Sequence, residues 1–235
     1  KITNSLSYKF NVAAKNKNKE RKRWFGKQTF NGKNVNGQLG LSQLERKFYQ
    51  IENLLNYIRR IKRIHQFDAT FGITYDNENL GVSSVINENF FTEELRTEGF
   101  GYGQVLYPYF RDRTGAEVFS VLGRINYGFR DKYLITVSGR ADGSSKFSKG
   151  NKFSYFPAVA LAWKASEEDF LKNSRTISNL KIRAGYGRSG NQAINPYETF
   201  ARYGQTYYVS GNTLISGAIP ENIQNDRLVW ETTSQ

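Results

Sequence analysis

The chain has 235 residues, 34 Lys+Arg against 21 Asp+Glu, one histidine and no cysteine. Without cysteine there is no disulfide framework, thiolate metal site or cysteine nucleophile, and His65 alone cannot build a multi-histidine metal centre. No apolar run is long enough for a transmembrane helix, while 15 Tyr and 17 Phe point to β structure with an aromatic-rich surface.

The dominant period along the chain is two, the mark of strands with one apolar and one polar face. Near the start, Leu6, Tyr8, Phe10 and Val12 alternate with Ser5, Ser7, Lys9 and Asn11. Tyr49, Ile51, Leu55 and Tyr57 share a face that Asn53 interrupts. Phe67, Ala69, Phe71, Ile73 and Tyr75 alternate with Asp68, Thr70, Gly72, Thr74 and Asp76. Phe119, Val121, Ile125, Tyr127 and Phe129 form the next apolar set; after Arg130-Asp131-Lys132 the pattern resumes as Tyr133, Ile135 and Val137, which predicts a hairpin with a tight polar turn. Phe153, Tyr155, Val159, Leu161 and Trp163 make another face, backed by Ala158, Ala160 and Ala162. Leu180, Ile182, Ala184 and Tyr186 follow, and a last strand begins at Leu228-Val229-Trp230.

The connections alternate in length. Short ones fall near 61–65, 130–132 and 166–178, and long polar ones fill 15–46, 79–116, 143–152 and 189–227. The link at 166–178 opens with Glu167, Glu168 and Asp169, which predicts one short helix with an acidic first turn complementing its dipole. Strands of roughly ten residues joined by alternately short and long links describe an outer-membrane β-barrel. The alternatives are a soluble carbohydrate-binding β-sandwich, which alternates in the same way, and a basic nucleic-acid-binding β domain.

From 119 onward a series of short motifs appears in order. They are Arg124-Ile125-Asn126-Tyr127, Asp131-Lys132-Tyr133-Leu134, Arg140-Ala141-Asp142-Gly143-Ser144-Ser145-Lys146-Phe147 and Phe156-Pro157. Ala162-Trp163, Ser166 to Phe170, Leu180 to Arg183, Tyr186-Gly187, Gly190-Asn191-Gln192 and Trp230 to Thr233 complete it. The series resembles the SusC/RagA family, TonB-dependent outer-membrane transporters of Bacteroidetes. The resemblance implies an all-β antiparallel transmembrane barrel of roughly 22 strands, of which residues 1–235 supply about eight with long extracellular loops. The whole chain would be part of one barrel domain, an internal slice without the plug domain, the TonB box and the C-terminal strands. Family orientation puts the short links in the periplasm. The chain then rises at 3–14, descends at 47–60, rises at 66–78, descends at 117–129, rises at 133–142, descends at 153–165, rises at 179–188 and starts down again at 228.

Nothing in the residues argues for catalysis, a metal or a cofactor. His65 reads as a periplasmic-turn residue. Arg140 to Lys146 faintly echoes a phosphate loop, but its spacing fails the pattern; it reads as a turn, with Arg140 and Asp142 an ion pair facing the lumen. Lys132, Arg183, Lys181, Arg124 and Thr136 also face the lumen, since charges on the lipid side at mid-bilayer cost about 2–4 kcal/mol each. Candidates for the solute path are Arg140, Asp142, Arg183, Asn191, Gln192, Tyr203 and Tyr207. Tyr197, Phe200, Tyr203, Tyr207 and Tyr208 either stack on sugar rings or fold the 189–227 loop on itself.

The function implied by the resemblance is active import of an oligosaccharide or peptide. Its partners would be a SusD-like surface lipoprotein, the TonB-ExbB-ExbD complex reached through the segment N-terminal to this one, and outer-membrane lipid with lipopolysaccharide. Residues 1–63 carry 16 Lys+Arg and 3 Asp+Glu, whereas the remaining residues are balanced. A nucleic-acid partner is one source of such a bias. In the barrel reading the basic residues instead form an outer loop facing lipopolysaccharide and a periplasmic turn at Arg59, Arg60, Lys62 and Arg63 near anionic headgroups, with no nucleic acid involved.

Overall fold

The computed structural model describes residues 1–105, 110–172, 174 and 176–235, so parts of the anticipated 79–116 and 166–178 links lie outside the described residues. Eleven strands are described: β1 (Leu6–Phe25), β2 (Gln38–Ile61), β3 (His65–Glu88), β4 (Gln104–Val105), β5 (Phe110–Phe129), β6 (Tyr133–Ser144), β7 (Phe153–Lys164), β8 (Lys181–Asn191), β9 (Arg202–Ser210), β10 (Thr213–Asn222) and β11 (Glu231–Ser234). All but β9 and β10 join one sheet in the order β1-β2-β3-β5-β6-β7-β8-β11, with β4 against β3. The eight strands of that path correspond to the eight read from the alternation, except that the last starts at Glu231, and Leu228, Val229 and Trp230, expected to open it, precede the strand. Because each is the sheet neighbour of the next, the architecture is the up-and-down wall of a barrel and not two packed sheets.

Two compact units share these strands. One comprises residues 1–12, 50–76 and 116–235; the other comprises 13–49 and 77–115. In the first unit the cross-strand register fixes which residues share a face. Ile125 opposes Val137, Val137 opposes Val159, and Val159 opposes Tyr186. Tyr127, Ile135, Leu161 and Ala184 make the next rung. This apolar face is the exposed one: Val137 is 51% accessible and Leu161 equally so. Two aromatic rows bound it, Phe129-Tyr133-Trp163 at one end and Phe119 with Phe153 flanking Gly143 at the other. A soluble sandwich would bury such a face. An apolar band between aromatic rows is the outer surface of a membrane barrel.

The hairpin turns follow from backbone sterics. Lys62 and Arg63 after β2, and Arg130 and Asp131 after β5, place two successive residues at positive φ. That is the dihedral signature of primed turns, whose twist matches that of the flanking strands.

Three expectations are corrected. First, β2 and β3 each run for 24 residues, well into segments expected to be loops. The basic stretch after Lys15 is likewise strand as far as Phe25; its charged and polar residues leave neither face apolar, so no alternation of hydrophobicity marks it in the sequence. Second, the 189–227 segment holds a separate hairpin, β9–β10, with Ser210 opposite Thr213 and Gly211 at φ +62 in the turn. Third, the acidic stretch at 167–169 forms no α-helix among the described residues. A single 3₁₀ turn, Ala165–Glu167, is followed by Glu168 in extended conformation.

Candidate functional site

The register that turns the apolar residues outward places Arg124, Asn126, Thr136, Ser138, Arg140, Asp142 and Arg183 on the opposite face. Asn126 and Thr136 occupy one rung, and the Thr136 hydroxyl donates to Asn126 Oδ1 at 2.8 Å. The same polar face links Thr70 to Asn56 (2.9 Å) and Asn11 to Glu52 (2.5 Å). Small residues widen it further along: Ala158, Ala160 and Ala162 on β7 stand opposite Gly187, Gly185 and Arg183 on β8.

Arg140 and Asp142 meet as expected. Arg140 Nε donates to Asp142 Oδ1 at 2.5 Å, and its Nη2 donates to Ser120 Oγ at 3.0 Å. Asp142 and Ser120 are buried, so this guanidinium is held on two sides while its outer edge stays partly exposed. Chemically the group is a fixed cation offering remaining N–H donors.

The other candidates belong to separate groups. Asn191 Nδ2 donates to Glu231 Oε2 at 3.1 Å across the β8–β11 pair. The Gln192 main-chain carbonyl accepts from Lys146 Nζ at 3.4 Å, and its buried Oε1 has no partner among the described residues. Tyr203 and Tyr207 lie on β9, which pairs only with β10 and not with the main sheet, with Tyr203 opposite Pro220 and Tyr207 opposite Ser216. Of the loop aromatics, Tyr203, Tyr207 and Tyr208 thus lie in a hairpin and remain exposed.

Packing, which the linear reading missed, explains several motifs. Phe147, Phe156 and Trp230 form a buried cluster joined by Ile194 and Leu228. Phe147 and Trp230 ring centroids are 5.3 Å apart, and Phe156 meets Trp230 edge-on at 5.6 Å. Trp230 Nε1 donates to the Lys152 carbonyl at 2.9 Å. Gly190 is required beneath them, since a Cβ there would fall 2.1 Å from Cζ of Phe156. No local pattern marks the cluster, since its three aromatic residues and its glycine belong to four motifs that share no local element.

At the opposite end, Glu168 accepts hydrogen bonds from Tyr133 OH (2.6 Å), Lys132 Nζ (3.0 Å) and Trp163 Nε1 (3.1 Å). These donors hold its pKa down from 4.5 to about 2, Tyr133 contributing most, then Lys132 and Trp163. The acid thus ties the polar tips of two rim aromatics to the hairpin turn, and does not cap a helix dipole. His65 opens β3, its Nδ1 2.8 Å from Tyr127 OH and its ring 5.4 Å from that of Phe129. It extends the same aromatic rim.

Comparison with known proteins agrees with this geometry. TonB-dependent receptor P3 of Formosa agariphila is 37% identical over 184 residues, 78% of this chain and 18% of that protein. TonB-dependent receptor SusC of Bacteroides thetaiotaomicron is 41% identical over 122 residues, 49% of this chain and 12% of that one. Among solved structures, the RagAB peptide transporter superposes with a TM-score of 0.87 at 21% identity, covering 99% of this chain and 26% of its own. The chain spans about a fifth of the length of the curated relatives it matches: 18%, 20% and 22% for the first three. Residues 2–235 match the model of the TonB dependent receptor-like β-barrel, and the chain belongs to that family of outer-membrane proteins.

Proposed function

We propose that the chain is a section of the barrel wall of an active importer in the outer membrane, carrying an oligosaccharide or peptide inward. The observation that carries this reading is the two-faced register of β5 to β8, with an apolar band, interrupted on β8 by Arg188, on one side and a hydrogen-bonded polar wall on the other. Arg140, Asp142 and Arg183 on that wall, and Asn191, Gln192, Tyr203 and Tyr207 beyond it, are the groups proposed to contact solute. Selectivity then comes from hydrogen bonding and shape, and transport needs no covalent step.

The proposed partners are a SusD-like surface lipoprotein that delivers the solute and the TonB-ExbB-ExbD complex that supplies energy. Membrane lipid packs on the apolar band, and lipopolysaccharide packs at its outer rim. The relatives named for TonB dependence, SusC among them, and the likeness to the RagAB peptide transporter support this assignment. The test is uptake of labelled oligosaccharides and peptides by cells expressing the full-length protein, with and without functional TonB. Uptake of one class that disappears without TonB is expected. Equal uptake in both strains contradicts the reading.

A further inference from the structure

Between Lys15 and Arg23 every second residue is a cation: Lys15, Lys17, Lys19, Arg21 and Arg23, separated by Asn16, Asn18, Glu20 and Lys22. All nine lie in β1 and are exposed. Successive side chains of a strand point to opposite faces, so the five cations form a row with a repeat of about 6.8 Å and a span of about 27 Å. Their parity is opposite to that of Leu6, Tyr8, Phe10 and Val12 in the same strand.

The row lacks counter-charges. Its unit, residues 13–49 and 77–115, has 13 Lys and Arg against 8 Asp and Glu, an excess of five. Six of those eight carboxylates are engaged elsewhere. Glu98 and Glu20 pair with Lys22, Glu45 with Lys47, and Glu78 with Arg46. Glu88 accepts from Gln38 and Glu93 from the Lys27 amide. None of the five row cations forms an ion pair or side-chain hydrogen bond with a described residue. Their spacing is below the Debye length of about 8 Å at physiological salt, so the charges reinforce one another toward a ligand.

Within the row, Arg21 and Arg23 line a groove of about 300 Å³ whose other polar residues are Gln38, Ser42 and Ser84, between apolar Phe25, Leu41 and Ile86. Guanidinium groups bind carboxylate and sulfate in a bidentate fork, and the amide and hydroxyls suit a polymer rich in hydroxyl groups. We propose that this row is a binding track for a linear acidic polysaccharide whose carboxylates or sulfates repeat along its length. The proposal rests on the import reading and names its solute class. An acidic peptide lacks the hydroxyls that the groove would recognise. A lipopolysaccharide gathers its phosphates at one headgroup and belongs against the parity that carries Tyr8 and Phe10.

The test uses the purified full-length protein in detergent and measures binding of dextran sulfate, unsubstituted dextran, polyglutamate and lipopolysaccharide vesicles. The variant K17Q/K19Q/R21Q is compared with K149Q/K172Q/R227Q, which removes the same charge from the other compact unit. The track predicts that dextran sulfate binds well above dextran and polyglutamate. It also predicts that the row variant weakens this binding about tenfold or more, while the control stays within about twofold. Equal binding of dextran and dextran sulfate, or an unaffected row variant, overturns it. Tighter binding of polyglutamate, or an effect of the row variant on lipopolysaccharide vesicles alone, also overturns it. Uptake measured in parallel separates the two readings: row-dependent binding without uptake sinks import and leaves the track standing.

Discussion

Val137 and Ser138 are consecutive in β6 and face opposite ways, so arginine at each position reads out the two sides of the wall. The aromatic rows lie ten residues apart along the strands, from Phe119 to Phe129 and from Trp163 back to Phe153. Ten residues at about 3.3 Å each, tilted by about 40°, give an apolar band about 25 Å tall. Val137 is four residues from the Tyr133 row, about 10 Å above that edge and close to the midplane. Val137→Arg therefore costs about 2–4 kcal/mol in the membrane-folded state, roughly a 30- to 700-fold shift in the folding equilibrium. Ser138→Arg, one residue away beside Arg124, should cost less than about 1 kcal/mol. Urea titration of the full-length protein folding into lipid vesicles measures both. Equal costs, or a larger cost at Ser138, would refute the facing derived from the register.

Gly190→Ala forces a methyl onto Phe156 and should destabilise by about 1–3 kcal/mol. Trp230→Ala, which empties the same cluster, should cost about 3–5 kcal/mol; both are read from the same titration, and a neutral Gly190→Ala would deny the packing. Tyr8 OH donates to Asn53 Oδ1 at 2.6 Å on the apolar face. Tyr8→Phe strands that amide and should cost about 1–3 kcal/mol, whereas Tyr8→Phe combined with Asn53→Leu should recover most of it. Glu168 has a depressed pKa, so its contribution is complete above its unfolded value of 4.5 and is lost as pH falls toward about 2. A stability profile over that window should lose part of its slope in Glu168→Gln, and an unchanged profile would remove the three hydrogen bonds from the account.

The membrane-level strands were legible because their two faces differ in polarity. The hairpin turn at 130–132 was legible because polar residues interrupt an unbroken phase. Beyond residue 14 the same strand has lysines on one face and asparagines on the other, and an apolar pattern is blind to it. The β9–β10 hairpin was hidden similarly, although Gly211-Asn212 between two alternating stretches is a turn signal. Glu168 was misread because an acidic run after a strand fits a helix start, and its three donors come from residues 5 and 35–36 positions away. At the candidate site, the Arg140–Asp142 pair was visible because residues two apart on a strand share a face. The clustering of Phe147, Phe156, Gly190 and Trp230 was not, because it depends on contacts across separate strands and loops.

The measurement that bears most directly on the membrane wall is a nitroxide scan of β6. The chain has no cysteine, so single cysteines can be introduced from Tyr133 to Asp142 in the full-length protein and labelled in lipid vesicles. Accessibility to oxygen, which partitions into lipid, should peak at 133, 135, 137, 139 and 141. Accessibility to a water-soluble nickel chelate should peak at the even positions between them. Two profiles rising and falling in phase, or neither showing a period of two, would contradict a barrel wall with lipid on one side and a polar lumen on the other.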